Sequence, residues 1–453
     1  MNKIYLCIDL KSFYASCECA DRGLNSLTTK LVVADPRRGN GAICLAVSAA
    51  LKKLGVKNRC RLFEIPKDID YICAIPRMKR YMEVSANIYS IYRKYVAEDD
   101  IYVYSIDECF IDITSYLKLY KISVFELTKI IIDDVYKTTG ICATAGIGTN
   151  LFLAKLALDI IAKHEKGNIG YLNEELFKQK LWHHKPITDV WNISYGTANR
   201  LLKYGVDTLY GITTINEDLL YKEFGINAEI IIDHANGIEP VTIKDIKGYK
   251  SKYNSLTNQQ ILFDDYDYDS AFLVLKEMVD LSSLELIEKK LVASGISLYV
   301  GYSKDLRGPT GGSRRLGEFI QSRKKLIEYF STLFIETTDP NFLIRRIGIS
   351  FSNVVDEKNQ TIDLFTDENE LAKEKNLQKS IIEIKKKYGK NSILKGIDLN
   401  EKATTIKRNE LIGGHNAGGD HPEDYVWKKE KKWKCQIELK SFCHSMVLED
   451  IMI

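Results

Sequence analysis

Asp107 and Glu108 stand side by side between residues 101–105 and 109–113, two runs of β-branched and aromatic side chains. The runs predict two strands with the acids at or near their turn. Neighbouring carboxylates against an apolar sheet raise each other's pKa and lose hydration, so the pair makes sense with a cation beside it. A hard, oxygen-seeking ion such as Mg²⁺ suits that donor set; a polar hairpin tip facing solvent is the competing reading. A third acid, Asp9, ends the apolar run 3–10 and is followed by Phe13 and Tyr14. Alone, it reads equally as a helix-capping Asp followed by core aromatics. Together, Asp9, Asp107 and Glu108 are enough carboxylates to bridge two metal ions about 4 Å apart for in-line attack on a phosphate.

The elements that must position these acids follow in order. Residues 30–34 predict a strand, 35–41 a polar loop, and an Ala-rich helix begins near Ala46. Helical periodicity covers 81–96 and 123–137, a strand covers 141–147, and Gly148 opens a helix at a turn that can offer free N–H groups to phosphate. Residues 171–240 read as wholly helical, and the Lys-, Tyr- and Gly-rich stretch 244–253 as a tether. Beyond it, strand 255–262, helix 268–289, strands 292–302 and 311–319, helix 322–333 and strand 343–352 give a βαββαβ order, which many unrelated functions share. That region carries Arg314, Arg315, Arg345 and Arg346 on strands, a local basic set suited to phosphates. An amphipathic helix is expected over 368–388 and a flexible joint at the glycines of 413–419. The end of the chain interleaves Lys with Trp over 425–433, a pattern for stacking on single strands or for a disordered interaction tail.

At 453 residues the chain has room for about three domains. Its 64 Lys and Arg against 61 acids give a net charge of +3, so no global field announces a polyanionic partner and any nucleic-acid surface must be local. Ten cysteines lie without a CxxC pair, and with seven histidines they make no zinc spacing. Reduced thiols in a cytoplasm fit best. No signal peptide is read at the start, and no apolar run approaches the ~20 residues that span a bilayer, which sets membrane roles aside.

Residues 8–18, Ile-Asp-Leu-Lys-Ser-Phe-Tyr-Ala-Ser-Cys-Glu, together with residues 105–112, Ser-Ile-Asp-Glu-Cys-Phe-Ile-Asp, resemble the two signatures of Y-family translesion DNA polymerases. The resemblance is closest to the UmuC-like branch of low-GC Gram-positive bacteria and runs from about residue 3 to 415. It implies an α+β multidomain right hand: palm 1–29 and 78–170, small fingers 30–77, helical thumb 171–243 with a helix-hairpin-helix, tether 244–253, βαββαβ little finger 254–355, and a C-terminal clamp-binding and tail region 356–453. By this resemblance Asp9, Asp107 and Glu108 are the catalytic acids and hold two Mg²⁺ ions with the Leu10 carbonyl. Tyr14 is the steric gate against a ribose 2′-hydroxyl, and Phe13 packs beneath the incoming sugar.

The same resemblance gives Lys163 a grip on the triphosphate. The fingers helix of the family offers Tyr and Arg to that group, where this chain has Ala49 and Lys52; lysine keeps the charge without the bidentate fork. Residues 190–201 resemble the thumb hairpin, with Asn192-Ile193-Ser194 in place of Gly-x-Gly and Gly196 left nearby to meet a DNA phosphate. Arg314, Arg315, Arg345 and Arg346 become DNA contacts of the little finger. Gln360, Ile362, Leu364 and Phe365 resemble a peptide that docks on the bacterial sliding clamp. The implied activity is template-directed, low-fidelity DNA synthesis past damaged bases, with primer-template DNA, deoxynucleoside triphosphates, the clamp and accessory SOS proteins as partners. A nucleotidyl cyclase would share palm and acids but leave the hairpin and the arginine-bearing domain unexplained. A catalytically silent DNA-bound scaffold would not need the three intact acids.

Overall fold

Residues 3–250, 255–303, 307–362, 367–419, 424–428 and 432–435 are described by a computed structural model of the chain. The chain divides into two units, one of Met1–Tyr249 with His415–Ile453 and one of Lys250–Gly414.

In the first unit, strand β1 (Tyr5–Leu10) is the middle of a five-stranded sheet because nearly every side chain on it is apolar and buried. Helix α1 (Phe13–Ala20) follows at once. Strand β5 (Ile101–Val103) and strand β6 (Glu108–Asp112) form the hairpin expected around the acids, and β6 pairs antiparallel with β1 so that Glu108 lies opposite Asp9. On the other side of β1 runs β7 (Ala143–Gly148), then β8 (Ile169–Leu172), giving the order β5-β6-β1-β7-β8. Residues 171 and 172, expected in a helix, belong to this edge strand.

Helices α3 (Met78–Tyr92), α4 (Tyr116–Tyr120) and α5 (Val124–Thr139) accompany the sheet. Helix α6 (Leu151–Leu156) runs into a π-helical turn, Ala157–Ala162, pressed directly on β7. A Cβ on Gly146 would come within 2.2 Å of the Leu158 nitrogen, and one on Gly148 within 2.1 Å of the Ala154 nitrogen. Gly148 therefore serves close backbone packing and not a phosphate cradle; Asn150 caps α6 through Leu153 N–H.

The segment between β1 and α3 folds on its own small sheet. Strand β2 (Leu31–Val33) pairs with β3 (Ala46–Val47) and, in parallel, with β4 (Tyr71–Ala74). The helix expected near Ala46 starts later, as α2 (Ala49–Lys53), because Ser48 accepts from Leu51 N–H and caps it while 46–47 pair as strand. A buried ion pair ties α1 to the start of α3. Glu18, fully buried, accepts from Arg77 Nε at 3.0 Å and from the Tyr81 hydroxyl at 2.7 Å. Removing one partner of such a pair costs about 3–5 kcal/mol.

Helices α7 (Glu174–Leu181), α8 (Tyr195–Leu202), α9 (Leu209–Thr213), α10 (Glu217–Phe224) and α11 (Asn227–Ala235) enclose their own core around Phe152, Phe177, Leu201 and Leu220. The first half of the expected tether is instead helix α12 (Ile243–Gly248), capped reciprocally by Thr242 and Asp245 and anchored by buried Ile243.

The second unit holds β9 (Ser255–Tyr266), α13 (Tyr268–Glu288), β10 (Leu291–Tyr302), β11 (Thr310–Ile320), α14 (Arg323–Thr337) and β12 (Ile344–Asp356), the βαββαβ order read from the sequence. Its antiparallel sheet runs β11-β10-β12-β9. Ile296, Leu298, Ile347 and Ile349 on one face pack with Val274, Met278, Phe330 and Phe334 of the two helices. Helix α15 (Glu368–Tyr388) spans 368–388 as expected, and α16 (Thr405–Asn409) is capped by buried Glu277, which accepts from Thr404 and Thr405 N–H.

Gly413 and Gly414, both at positive φ, follow β13 (Leu411–Ile412) and precede β14 (His415–Asn416), and the Ala417 carbonyl accepts from Lys79 N–H. The expectation of a solvated tail fails. The tail contributes β15 (Asp424–Lys428) and β16 (Lys432–Cys435), with β15 antiparallel to β4, so the small sheet has the order β16-β15-β4-β2-β3.

Candidate active site

A cavity of about 590 Å³ opens where β1 and the β5–β6 turn meet α1, α2 and the π-helical turn. It brings together Asp9, Leu10, Phe13, Tyr14, Lys52, Asp107 and Lys163, seven residues singled out in the sequence from stretches up to 154 positions apart. Asp9 reaches it from the end of β1. Burial, then the Asp107 charge, pushes the Asp9 carboxyl up to about 7, against the opposing pull of Lys163. Asp107 accepts from the Ser105 hydroxyl at 2.7 Å. Among the described residues neither Asp9 nor Asp107 has an ion-pair partner.

Glu108 departs from the expected set of three converging acids. Its Oε1 lies 2.7 Å from Lys155 Nζ and accepts from the Cys7 thiol at 3.1 Å, beside the cavity and not in its lining. Among the described residues no group of three His, Cys, Asp or Glu side chains converges as a ready metal cage. Lys155 is buried. The reason is the backbone contact forced at Gly146 and Gly148, which seats α6 on the sheet with Lys155 aimed at β6.

Tyr14 stacks on Tyr81 with ring centroids 4.5 Å apart, and Tyr81 is locked by Glu18, so the Tyr14 ring rests on a fixed wall. Phe13 is buried beside it. Lys52 donates to the Ser12 hydroxyl at 2.9 Å, and burial lowers its pKa. Lys163 pairs with Asp159 at 3.0 Å. Sequence reading missed Arg59, which lines the same cavity from the α2–β4 segment at φ +58. A non-glycine residue in that backbone region is a signal of constraint near a site, but it is invisible in the sequence. Thr144, opposite Asp9 on β7, also lines the cavity, and its buried hydroxyl has no partner among the described residues.

The thumb hairpin keeps its geometry by other means. Asn192 takes φ +69, the left-handed position that a glycine would fill, while Ser194 stays extended and caps α8 by accepting from Thr197 N–H. Gly196 sits exposed in the first turn of α8, where an added Cβ would meet only the Ser194 hydroxyl at 3.7 Å.

The four arginines do not form one set. On β11, Arg314 lies across from buried Ile296 and pairs with Glu336 of α14 at 2.7 Å, whereas Arg315 lies across from Gly295 on the opposite face. On β12, Arg345 reaches Asp265 at 3.4 Å and Arg346 lies between Gly301 and exposed Ile261. Arg315 and Arg346 thus share the helix-free face with the hydroxyl pairs Ser297–Ser313 and Thr257–Ser350, and have no ion-pair partner among the described residues.

A family model described as the impB/mucB/samB family matches residues 8–159, and the model of that family's C-terminal domain matches 255–364. UvrX of Bacillus subtilis, named for UV-damage repair, is 32% identical over 421 residues, covering 92% of this chain and 98% of its own. DNA polymerase IV 2 of the same organism is 31% identical, over 91% of this chain and 99% of its own. The chain belongs to the impB/mucB/samB family, the Y-family translesion DNA polymerases. A solved Y-family polymerase chimera of Dbh and Dpo4 superposes with a TM-score of 0.58 at 22% identity, covering 78% of this chain and 99% of that one, which fits the palm, fingers, thumb and little-finger architecture.

The polymerase is a DNA-directed enzyme of translesion synthesis, working on a DNA template with nucleotide substrates, and the cyclase and scaffold readings find no support among its relatives. Polymerases of this family depend on divalent metal. The donor chemistry here fits such an ion: two unpaired carboxylates, Asp9 and Asp107, and an orphaned hydroxyl, Thr144, face one cavity. No helix among the described residues is long and apolar enough to cross a membrane. Of the clamp-peptide residues, Ile362 is 55% exposed and Gln360 follows the last strand of the little finger, while Leu364 and Phe365 lie outside the described residues.

Proposed function

We propose that this polymerase adds deoxynucleotides to a primer at the cavity of Asp9 and Asp107, with the palm running to the end of β8 at Leu172 and with α12 in place of the first half of the tether. The observation that carries the assignment is the pair of unpaired, mutually repelling carboxylates facing a cavity whose other walls carry Tyr14, Lys52, Arg59 and Lys163. Asp9, Asp107, Glu108 and the Leu10 carbonyl hold two Mg²⁺ ions, which when bound lower the pKa of the primer 3′-hydroxyl and neutralise the triphosphate. Lys163 and Lys52 bind the triphosphate oxygens, and the Arg59 guanidinium restores the forked donor that Lys52 lacks. Phe13 supports the sugar from below, and Tyr14, braced by Tyr81, closes the space beside C2′. Gly196 N–H meets a DNA phosphate, and of the four arginines Arg315 and Arg346 serve the DNA backbone from the open face of the sheet, while Arg314 and Arg345 are held by Glu336 and Asp265. Insertion is of low fidelity, in the cytoplasm, with accessory SOS proteins.

Extension of a labelled primer by purified protein in Mg²⁺ tests this: a longer primer is expected, a cyclic nucleotide or no product would overturn it. Gln360, Ile362, Leu364 and Phe365 recruit the sliding clamp. Thr361 supports this reading, since two hydrogen bonds to Phe319 pin the peptide's base, at 3.0 and 2.8 Å, while Ile362 points out. Burying Leu364 and Phe365 in a clamp pocket would contribute about 1.5–3 kcal/mol each, most of it offset by ordering the peptide. A Leu364→Ala/Phe365→Ala variant is expected to lose clamp binding in a pull-down and to extend primers normally without clamp; unchanged binding would remove the peptide from this role.

A further inference from the structure

Lys155 and Asp159 have no place in the site as proposed so far, yet they join two of its parts. Glu108 Oε1 lies 2.7 Å from Lys155 Nζ, the same ammonium lies 3.0 Å from Asp159 Oδ2, and Asp159 Oδ1 lies 3.0 Å from Lys163 Nζ. The chain of four charges is neutral as a whole. Its inner half is dry, with the side chains of Lys155 and Glu108 only 10% and 11% exposed, and its outer end opens on the cavity, where Lys163 is 47% exposed.

The backbone is shaped for this row. Asp159 sits inside the π-helical turn Ala157–Ala162, a rare form that recurs at functional sites. Gly146, Gly148 and Gly170 leave room for that segment to lie directly on the sheet: a Cβ on Gly170 would stand 2.4 Å from the Ala157 carbonyl oxygen. A solvent-facing lysine would need no such bed.

We propose that Lys155 and Asp159 are positioning residues that couple Glu108 to the triphosphate-binding lysine, Lys163. The proposal rests on the roles given above to Glu108 and Lys163. Lys155 fixes one oxygen of Glu108 and leaves Oε2, which has no partner among the described residues, for its own task. Lys155 also occupies half of Asp159, so that Asp159 holds Lys163 in place without fully neutralising it. Take Lys155 away, and both Asp159 oxygens turn to Lys163 and draw it off the nucleotide. A residue that touches no nucleotide thereby sets nucleotide affinity.

The test uses full-length protein on primer-template DNA, with Ca²⁺ and a deoxynucleoside triphosphate for equilibrium binding by fluorescence and with Mg²⁺ for kcat. Lys155→Met is expected to lower kcat about 10–100-fold, the usual cost of losing a group that orients a ligand. It should also weaken nucleotide binding about 5-fold, a coupling of ordinary size. Adding Asp159→Asn to Lys155→Met should recover most of the lost nucleotide affinity while kcat stays low, and Lys155→Arg should stay within about 2-fold of the parent in affinity. A Lys155→Met protein that binds nucleotide like the parent, or a double variant that binds it still more weakly, would overturn the proposal by reducing the row to packing. If Lys155→Met fails to melt cooperatively, Lys155→Gln takes its place with the same expectations, and parental nucleotide affinity in that variant would overturn the coupling. If instead Lys163→Ala binds nucleotide like the parent, it is the underlying assignment of Lys163 that falls.

Discussion

The cavity of the palm and the sheet of the little finger both contain like charges at adjacent positions, and in both the fold pulls the neighbours apart. Asp107 faces the cavity while Glu108 is taken by Lys155 and Cys7; Arg315 and Arg346 face the open sheet while Arg314 and Arg345 are taken by Glu336 and Asp265. On β11 this follows from alternation, since successive side chains leave on opposite faces; in the palm it follows from the turn, in which Asp107 still lies while Glu108 already begins β6. What differs is the dielectric. Glu108 and Lys155 are almost enclosed, whereas Arg314 and Arg345 are 53% and 39% exposed. A buried partner left alone is costly, and an exposed pair is worth about 0–1 kcal/mol. Adjacent charges in the palm should therefore both matter, and adjacent charges in the little finger should not.

The largest effect should come from the palm. Asp107→Ala and Glu108→Ala are each expected to lower primer extension by at least about 100-fold while primer-template binding is kept, because the acids act on the reacting groups and not on DNA. Turnover within tenfold of the parent for either one would break the equivalence of the two neighbours. Next in size is Tyr14→Ala, which removes the ring braced by Tyr81. Ribonucleotide insertion should rise about 10-fold or more relative to deoxynucleotide insertion in single-nucleotide kinetics; an unchanged ratio would make Tyr14 a core aromatic only.

A smaller effect should appear in stability. The Asp9 carboxyl is raised from 3.8 to about 7, so between those values the folded chain holds a proton that the unfolded chain releases. Stability must then fall as pH rises through that window and level off above it. Without metal, the melting temperature of Asp9→Asn minus that of the parent should grow from pH 5 to pH 7 and flatten above. A difference independent of pH would mean that burial and the Asp107 charge do not hold a proton on Asp9.

The strands and helices that carry these groups were legible because their patterns are local. Continuous apolar runs gave β1 and β6, the βαββαβ order gave the four strands of the little finger, and the amphipathic run 368–388 gave α15 to the residue. Partners distant in sequence were not legible. Nothing at Glu108 announces Lys155, 47 positions on, and nothing in 425–433 announces β4, some 350 positions back, so a basic, Trp-bearing tail reads as solvated when its backbone in fact extends a sheet. Ser194 stands where the motif has its second glycine; the structure gives the positive φ to Asn192 and makes Ser194 a cap. Helix α12 was missed although Thr242 and Asp245 spell a capping box, because Lys, Tyr and Gly around it outweighed the signal.

The finest test of the comparison lies in the arginines. Each Arg that meets a phosphate displaces condensed counterions, so its loss flattens the salt dependence of DNA binding by about one unit of slope on a logarithmic scale. Arg315 and Arg346, free among the described residues and facing the side of the sheet without helices, are expected to behave this way. Arg315→Ala/Arg346→Ala should weaken primer-template binding at moderate salt and lower the slope by about 2. Arg314 and Arg345 already spend their charge on Glu336 and Asp265, pairs worth about 0–1 kcal/mol and exposed to water. Arg314→Ala/Arg345→Ala should leave the slope within about 0.5 of the parent and shift the melting temperature little. The two double variants carry the same net charge, so a general loss of positive field would affect them equally, and only placement can separate them. Equal slopes would show that DNA reads the little finger as a diffuse charge; a larger loss from Arg314→Ala/Arg345→Ala would mean that those two guanidinium groups leave their carboxylates to meet the DNA.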